Sequence, residues 1–579
     1  MAEPSKQASD RVNLTYTSKI GDRVEEVELP FKVLVLADLT LDDRSDVFDQ
    51  QQSIRLDSNN IEILFQQLKP ALNLNVEDKL SEDEGDLLLQ MSFDSIESFL
   101  PARVMDAVPA LGALIRFNDI LSRIADGGDA PMPESDISLI QSVLDNEAVS
   151  LEEIRNNSES FGWLISSIEE RISKQLDTII HHPSFQRMES AWRSVAFLLE
   201  RTDFNENTEL AFFNLSKQAL IDDFDDVPEV FQSQIYQQVY SDEYGQFGGR
   251  PYGVIIGDYE IGPSAPDIKL LQRMASVAAV AHAPFIAAAS CEFFDIDSYS
   301  KFSKLRDLAS IFEQPKYAKW NAFRASPDAK YIGLTMPGFL LRKTHDVSIG
   351  SLQYRETAKN ADQDLLWGNT SFAFVTRLLD SFAKYRWCLN STGKTAGLVE
   401  GLSTEQSDSN SLSRRIPTRF LLTDKRETEV VEQGFIPLSV HKGDDTAAFY
   451  SAYSTQAVKA LMTGENDLSL RLAAQIPYLL IVGRISQYLK IMQRENIGAW
   501  TNRREIDNEL NGWLRQYVSD MDNPAPGVRS RRPLRKAEIK VREVEGKNDW
   551  YLTRIEITPH LKFMGNTFSL SETSKLDKN

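Results

Sequence analysis

The chain has 579 residues, 42% hydrophobic and 26% charged, a globular composition too long for one core, so two or more folded units are expected. Its net charge of −22 is concentrated at the front, where residues 1–157 carry 31 acidic against 13 basic side chains, which sets that part against nucleic acid and anionic membrane and toward basic partners. Two cysteines, Cys291 and Cys388, with no CxxC pair, argue against a disulfide framework or thiolate metal site; no run approaches the ~20 apolar residues of a membrane span, and MAEPSKQASDR lacks a signal-peptide layout, so a cytoplasmic protein is expected.

Residues 11–20 alternate, with Val12, Leu14 and Tyr16 on one face, as a half-buried strand does. After Gly21-Asp22 and Pro30, the apolar run Phe31 to Leu36 predicts a strand buried on both faces. Helices are expected over 61–68 and 99–124. DGGDAPMPESD (126–136) reads as a loop, and a helix capped by Ser135 or Asp136 follows, with Ile140, Val143 and Leu144 along one side. Leu164, Ile168, Ile172, Leu176 and Ile179 step by three or four and predict a long amphipathic helix from Phe161 to His181-His182-Pro183. Further helices are expected at 185–201, 267–281, 303–313, 363–388 and 467–494, the last kinked at Pro477, with strands at 209–215, 252–259 and 330–336. At the end Ile539 and Val541, then Tyr551, Thr553, Ile555 and Ile557, alternate with other positions around GKND (546–549), which predicts a C-terminal hairpin. The fold class is α+β (mixed α/β), multidomain.

Catalytic chemistry finds little foothold. In Cys388 to Thr395 the residues Gly393, Lys394 and Thr395 match the end of a phosphate-binding loop, but Cys388 replaces its first glycine and the preceding segment reads as helix, so a polar loop is expected. His181 and His182 diverge as adjacent side chains, and the other histidines lack ligand spacing. The carboxylates Asp222, Asp223, Asp225 and Asp226 read as a solvated loop, and Gly245, Gly248 and Gly249 as turns among the packed aromatics Tyr244, Phe247 and Tyr252. No cofactor, metal or catalytic residue is assigned, and the chain is not expected to be an enzyme. The basic run Arg529, Arg531, Arg532, Arg535 and Lys536 lacks interleaved aromatics; pairing with an acidic protein face, such as the first 157 residues offer, is expected over nucleic acid.

Several longer strings occur together and in order: DTIIHHPSFQRMESAWRSVAFLLERTDF (177–204), DEYGQFGG (242–249), SVAAVAHAPFIAAAS (276–290), YAKWNAFRASPDAKYIGLTMPGFLLR (317–342), LLWGNTSFAFVTRLLDSFAKYRWC (365–388), GLVEGL (397–402), GFIPLS (434–439), RRPLRKAEIKV (531–541) and SKLDK (574–578). They resemble the large subunit of the type VI secretion contractile sheath from about Phe161 onward. Upstream, RVNLTYTSKIG (11–21), ELPFKVLVLADL (28–39), NVEDKL (75–80), MSFDSIESFLPARVMDAVPAL (91–111) and SLIQSVLDNEAVSLEEIRNN (138–157) resemble the small sheath subunit, normally a separate chain. The sequence therefore reads as a fusion: a small-subunit-like region at 1–126, its loop and helical tail at 127–157, and a large-subunit-like region of two subdomains at 158–579.

The resemblance implies a helical homo-polymer on a membrane-docked baseplate that contracts around an inner tube protein and drives it out of a bacterium. It also implies that terminal strands are exchanged between copies, a role that falls on Val12, Leu14 and Tyr16 at the front and on Ile539, Val541, Tyr551, Thr553, Ile555 and Ile557 at the back. An AAA+ unfoldase belongs to the family's partners, but the join between Asn157 and Phe161 leaves no room for the segment it recognises, which counts against recycling by it. The competing expectations are the sheath of another phage-tail-like injection particle and a P-loop-like nucleoside triphosphatase built on Gly393-Lys394-Thr395.

Overall fold

The computed structural model describes the chain from Arg11 to Leu576 apart from residues 12–13, 21–22, several positions between 43 and 57, 81–84, 126–157, 407–414, 441–445, 458–471, 496–502, 522–531, 544–550 and 560–569. The expected acidic loop and the helix carrying Ile140, Val143 and Leu144 lie outside the described residues.

The first strands form a hairpin, β1 (Tyr16–Ile20) on β2 (Arg23–Val27). Next comes β3 (Phe31–Ala37), and its position organises the molecule. With β4 (Ile54–Leu56), β7 (Thr208–Asn214), β8 (Tyr252–Ile261), β9 (Phe285–Ala289), β10 (Ile332–Met336) and β11 (Phe435–Pro437) it makes a seven-stranded sheet ordered β11-β10-β9-β8-β3-β7-β4. Only β4 runs antiparallel to its neighbour; β3 pairs in parallel with both β7 and β8. A strand from the small-subunit-like region thus sits inside a sheet built otherwise, β4 aside, from the large-subunit-like region.

The alternation of β3 explains why it is hydrophobic throughout. Phe31, Val33, Val35 and Ala37 enter one core and Leu34 and Leu36 the other, as a strand covered on both faces requires. The exception is Lys32, fully buried in the same strand. Gly253 on β8 makes room for Phe31, since a Cβ there would stand 2.5 Å from the ring.

On the first face lie α1 (Glu62–Leu68), the hairpin β5 (Ala71–Glu77) and β6 (Asp86–Ser92), α2 (Pro101–Ala107), α3 (Pro109–Ala125), α4 (Ser158–Ile180), α5 (Pro183–Glu200) and, later in the chain, α9 (Thr370–Tyr385). The periodic residues Ile168, Ile172, Leu176 and Ile179 of α4 are all buried, and Phe65 of α1 stacks on Trp192 of α5 with centroids 3.7 Å apart. On the second face α6 (Lys217–Asp225), α7 (Ala265–Ala281) and α8 (Ala318–Arg324) cover the sheet. A third core is formed by α10 (Ile476–Glu495), α11 (Arg503–Arg515) and a C-terminal sheet of β12 (Leu534–Glu543), β13 (Tyr551–Pro559) and β14 (Leu570–Leu576).

Several expected elements are corrected, mostly at prolines and glycines. The helix expected over 99–124 is two, because Pro109 forces Val108 into an extended conformation and restarts the helix. The segment 303–313 holds only the tail of a tight turn and a short helix, Leu308–Phe312. The segment 363–388 breaks at Trp367–Gly368, a two-residue strand, before α9, which ends on Arg386 in a left-handed conformation. Pro477 lies in the first turn of α10, where proline is tolerated, rather than mid-helix. The C-terminal hairpin gains a third strand, β14. Phe247 is 79% exposed rather than packed between Tyr244 and Tyr252, and Asp222, Asp223 and Asp225 sit on α6, where Asp223 accepts from the backbone of Gln234 and Ile235. No helix among the described residues is long and apolar enough to cross a membrane.

Candidate functional site

The two ends of the chain meet on α10 and α11. Leu14 and Tyr16 are buried in the third core together with Ile539, Val541, Ile555 and Ile557. How residues 14–16 are held is unusual, because side chains rather than a strand ladder satisfy much of the backbone. Tyr488 donates to the carbonyl of Leu14 at 2.7 Å and accepts from the N–H of Leu29 at 2.9 Å. The Trp513 indole donates to the carbonyl of Thr15 at 2.8 Å; the Tyr517 hydroxyl donates to the same carbonyl and accepts from the Thr15 N–H. Arg484 donates to the carbonyls of Leu29 and Pro30. These contacts read the backbone, so the seat fits an extended segment with little regard to its outward-facing side chains. Tyr16 adds a hydrogen bond to Glu495 at 3.1 Å; burial first, then the carboxylate beside it, push its phenol up to about 12.

In the C-terminal sheet Ile539, Val541, Thr553, Ile555 and Ile557 are buried and Arg554 is exposed, the alternation expected of a sheet with one covered face. The side chain of Tyr551 lies outside the described residues, although its backbone pairs with Leu576. Val12 also lies outside them, as do Arg529 and Arg531. Arg532 and Lys536 are exposed at the start of β12 and Arg535 is half-buried.

The outer edge of β12 is closed in an unforeseen way. The amide of Asn511 on α11 accepts from the N–H of Ile539 at 3.0 Å and donates to its carbonyl at 2.9 Å, doing for one residue what a neighbouring strand would. Earlier along that edge, Leu534 pairs with the backbone of Tyr517 and Ser519. Asn511→Ala leaves two part-buried backbone groups unpaired, so we expect a loss of about 1–3 kcal/mol in urea unfolding and faster amide exchange at Ile539.

The two subunit-like regions are joined by charge as well as by the sheet. Lys32 donates to Glu243 at 2.5 Å, with both side chains essentially inaccessible, and its ammonium lies 4.1 Å from the centroid of the Tyr252 ring. Glu243 also receives Arg55 at 3.0 Å and the backbone N–H of Arg250 at 2.8 Å. Burial pulls the Lys32 ammonium below its ordinary range, and the Glu243 carboxylate opposes that.

The residues that suggested nucleotide chemistry form no phosphate cradle. Residues 388–396 are a run of turns, and the Gly393 N–H, which would have to face a phosphate, donates to the carbonyl of Phe449 at 2.8 Å. Cys388 is buried, and burial pushes its thiol up to about 12. His181 reaches Glu356, while His182 caps α5 by accepting from the Ser184 N–H. Among the described residues no group of three or more His, Cys, Asp or Glu side chains suits a metal ion.

Family models account for nearly the whole chain. Residues 163–456 match the EvpB/VC_A0108 tail sheath N-terminal domain, and residues 465–576 its tail sheath gpW/gp25-like domain. Residues 4–157 match a model described as type VI secretion system, VipA, VC_A0107 or Hcp2. The chain is 36% identical over 423 residues, 71% of its own length and 85% of the relative's, to the type VI secretion system sheath protein TssC1 of Pseudomonas aeruginosa. The chain belongs to the type VI secretion contractile-sheath family. It is also 28% identical over 123 residues, 21% of its length and 70% of the relative's, to the sheath protein TssB1 of the same organism. This sheath protein therefore combines a small-subunit-like and a large-subunit-like part in one polypeptide, as the upstream and downstream motifs imply.

Within the sheath protein, the sequence motifs identified the C-terminal strands, while the front strand expected over 11–20 begins only at Tyr16, with Leu14 and Thr15 outside it, and what holds both ends was missed. Tyr488, Trp513, Tyr517 and Asn511 all lie in stretches read only as helix or not read at all. A usable signal was present: Ile506, Leu510 and Trp513 step by four and three along one face of α11, and Tyr517 follows four residues later, just past its end.

Proposed function

We propose that copies of this chain polymerise into a helical tube whose links are the terminal segments, and that the tube contracts by repacking its folded bodies while those links hold. The observation behind this reading is the seat on α10 and α11. It takes Leu14 and Thr15 through their backbone, and among the described residues no strand ladder joins the hairpin β1–β2 to the C-terminal sheet. The same segment of another copy fits such a seat equally well, and head-to-tail links of that kind propagate rather than close. Val12, Leu14 and Tyr16 are the donor residues in this reading, and Ile539, Val541, Tyr551, Thr553, Ile555 and Ile557 form the receiving sheet. Arg529, Arg531, Arg532, Arg535 and Lys536 face an acidic surface of a neighbour.

The tube encloses an inner tube protein, stands on a baseplate in the bacterial cytoplasm and works by a metastable-to-stable switch without catalysis. Fusing the two parts fixes their ratio at one to one, and β3 inserted between β8 and β7 makes the same demand structurally. Negative-stain microscopy of purified protein tests the reading. Tubes are expected without nucleotide and equally with Lys394→Ala; a single small particle under all conditions rejects it.

A further inference from the structure

The sheath role leaves one feature of the sheet unused. The chain order of the strands reverses at β3, with β7 on one side and β8 on the other, and in open parallel sheets the crevice outside the carboxyl ends at such a point is where ligands bind. A crevice of about 490 Å³ lies there, lined by Asp38 after β3, Lys217 after β7, Asp258 and Glu260 on β8, Arg187 on α5 and Asn369 ahead of α9, a volume in the range of small-molecule sites.

Its chemistry narrows the ligand. An anion is disfavoured, because Asp38, Asp258, Glu260 and Asp362 all line the crevice. The three helices that begin here also have leading N–H groups taken by their own caps: Ser184 by His182, Ala219 by Ser216 and Ser371 by Asn369. The cations are largely committed as well, Arg419 to Asp362 and Lys217 to Asp267 at 3.0 Å, while Arg187 stands 3.6 Å from Asp38. These residues do not form a group suited to a metal ion. Asp258 remains, with Asn369 as its side-chain hydrogen-bond partner and Arg187, Glu260 and Asp38 as its charged neighbours.

We propose that this crevice binds an organic ammonium group, seated against Asp258 with Asp38 beside it. The ammonium belongs either to a free polyamine or to a lysine side chain of an adjacent copy. The free-amine reading stands whether or not the chain forms tubes; the lysine reading rests on the polymer proposed above.

Calorimetric titration of the full chain with spermidine and putrescine at physiological salt, repeated with Asp258→Asn, separates the sources. Saturable binding weakened at least tenfold by the substitution supports a free amine. Binding equal in the two proteins reflects the net negative charge alone and overturns the site for free amines. If neither protein binds amine, the lysine reading predicts that Asp258→Asn protomers, folded by circular dichroism, lose tubes while Asp258→Glu retains them. Unchanged tubes with Asp258→Asn then overturn the proposal altogether. Tubes lost in both variants, or wild-type protein that forms none, would also end the lysine reading, the second case because the polymer itself fails.

Discussion

Glu243→Ala is expected to destabilise the folded chain by about 3–5 kcal/mol, among the largest effects of any single side chain in it. The substitution strands the Lys32 ammonium on an interior strand of a seven-stranded sheet with no accessible surface. It also removes the acceptor used by the Arg250 N–H and by Arg55. Lys32→Met should cost less, since Glu243 keeps Arg55 and Arg250 and methionine fills much of the same volume. The double variant Lys32→Met/Glu243→Gln should recover a large part of the loss, because a buried pair replaced on both sides escapes the penalty of an uncompensated charge. Urea unfolding followed by tryptophan fluorescence measures all three. Near-equal losses for both single variants and simple addition in the double would mean that the pair is not coupled and does not tie the two subunit-like parts together.

That pair also shows where the sequence stopped being legible. The run from Phe31 to Leu36 announces a strand buried on both faces, and the structure puts it inside the sheet, between β8 and β7. Lys32 interrupts the run, yet nothing local says whether such a cation turns to solvent or inward, because its partner is 211 residues away. The motif containing Glu243 was recognisable as a string, but its glycines drew attention to turns and not to the carboxylate. Helices with a clear 3.6-residue period, such as α4, were readable. Those interrupted by Pro109 and Gly368 were merged, because periodicity on either side of a break looks continuous. The terminal strands were found from alternation and family motifs. The seat that holds residues 14–16 was not, because it is assembled from hydroxyl, indole and carboxylate groups 474 to 502 residues downstream.

Asp258 belongs to the same class of hidden residue, half-buried in a strand that reads as ordinary sheet. Burial raises its carboxyl to about 6 from an ordinary 3.8, against the help of Asn369 and Arg187. A carboxyl raised on folding is best tolerated while protonated, so its cost is absent below about pH 4, grows as pH rises toward 6 and is complete above that. Asp258→Asn should therefore stabilise the chain at pH 7.5 by up to about 3 kcal/mol, and the gain should shrink steadily from pH 6 to pH 4 in urea unfolding. A gain independent of pH would mean that ionisation at this site carries no cost.

Removing residues 1–20 is expected to abolish tubes while leaving a folded protomer, and the magnitudes explain both halves of that outcome. The two large cores include no residue before Phe31, so the sheet and its helices survive the deletion. What goes is the occupant of the seat. Burial of Leu14 and Tyr16 is worth roughly 1.5–3 kcal/mol each, and the side-chain hydrogen bonds to Leu14 and Thr15 add about 1 kcal/mol apiece. Against this stands the ordering of the segment, at about 1–2 kcal/mol per residue. The two sides come close to cancelling, so a segment seated in its own molecule is held only marginally. In the proposed lattice, exchanging it for the same segment of a neighbour costs little, whereas leaving every seat empty removes the proposed link. Sedimentation and negative-stain microscopy should show monodisperse protomers for the deletion. Leu14→Asp/Tyr16→Asp should behave alike, and an excess of a peptide spanning residues 11–20 should block assembly of the intact chain by filling seats without bridging copies. Normal tubes from the deleted protein would falsify the tether role of this segment and shift the burden of holding the lattice together onto the folded bodies.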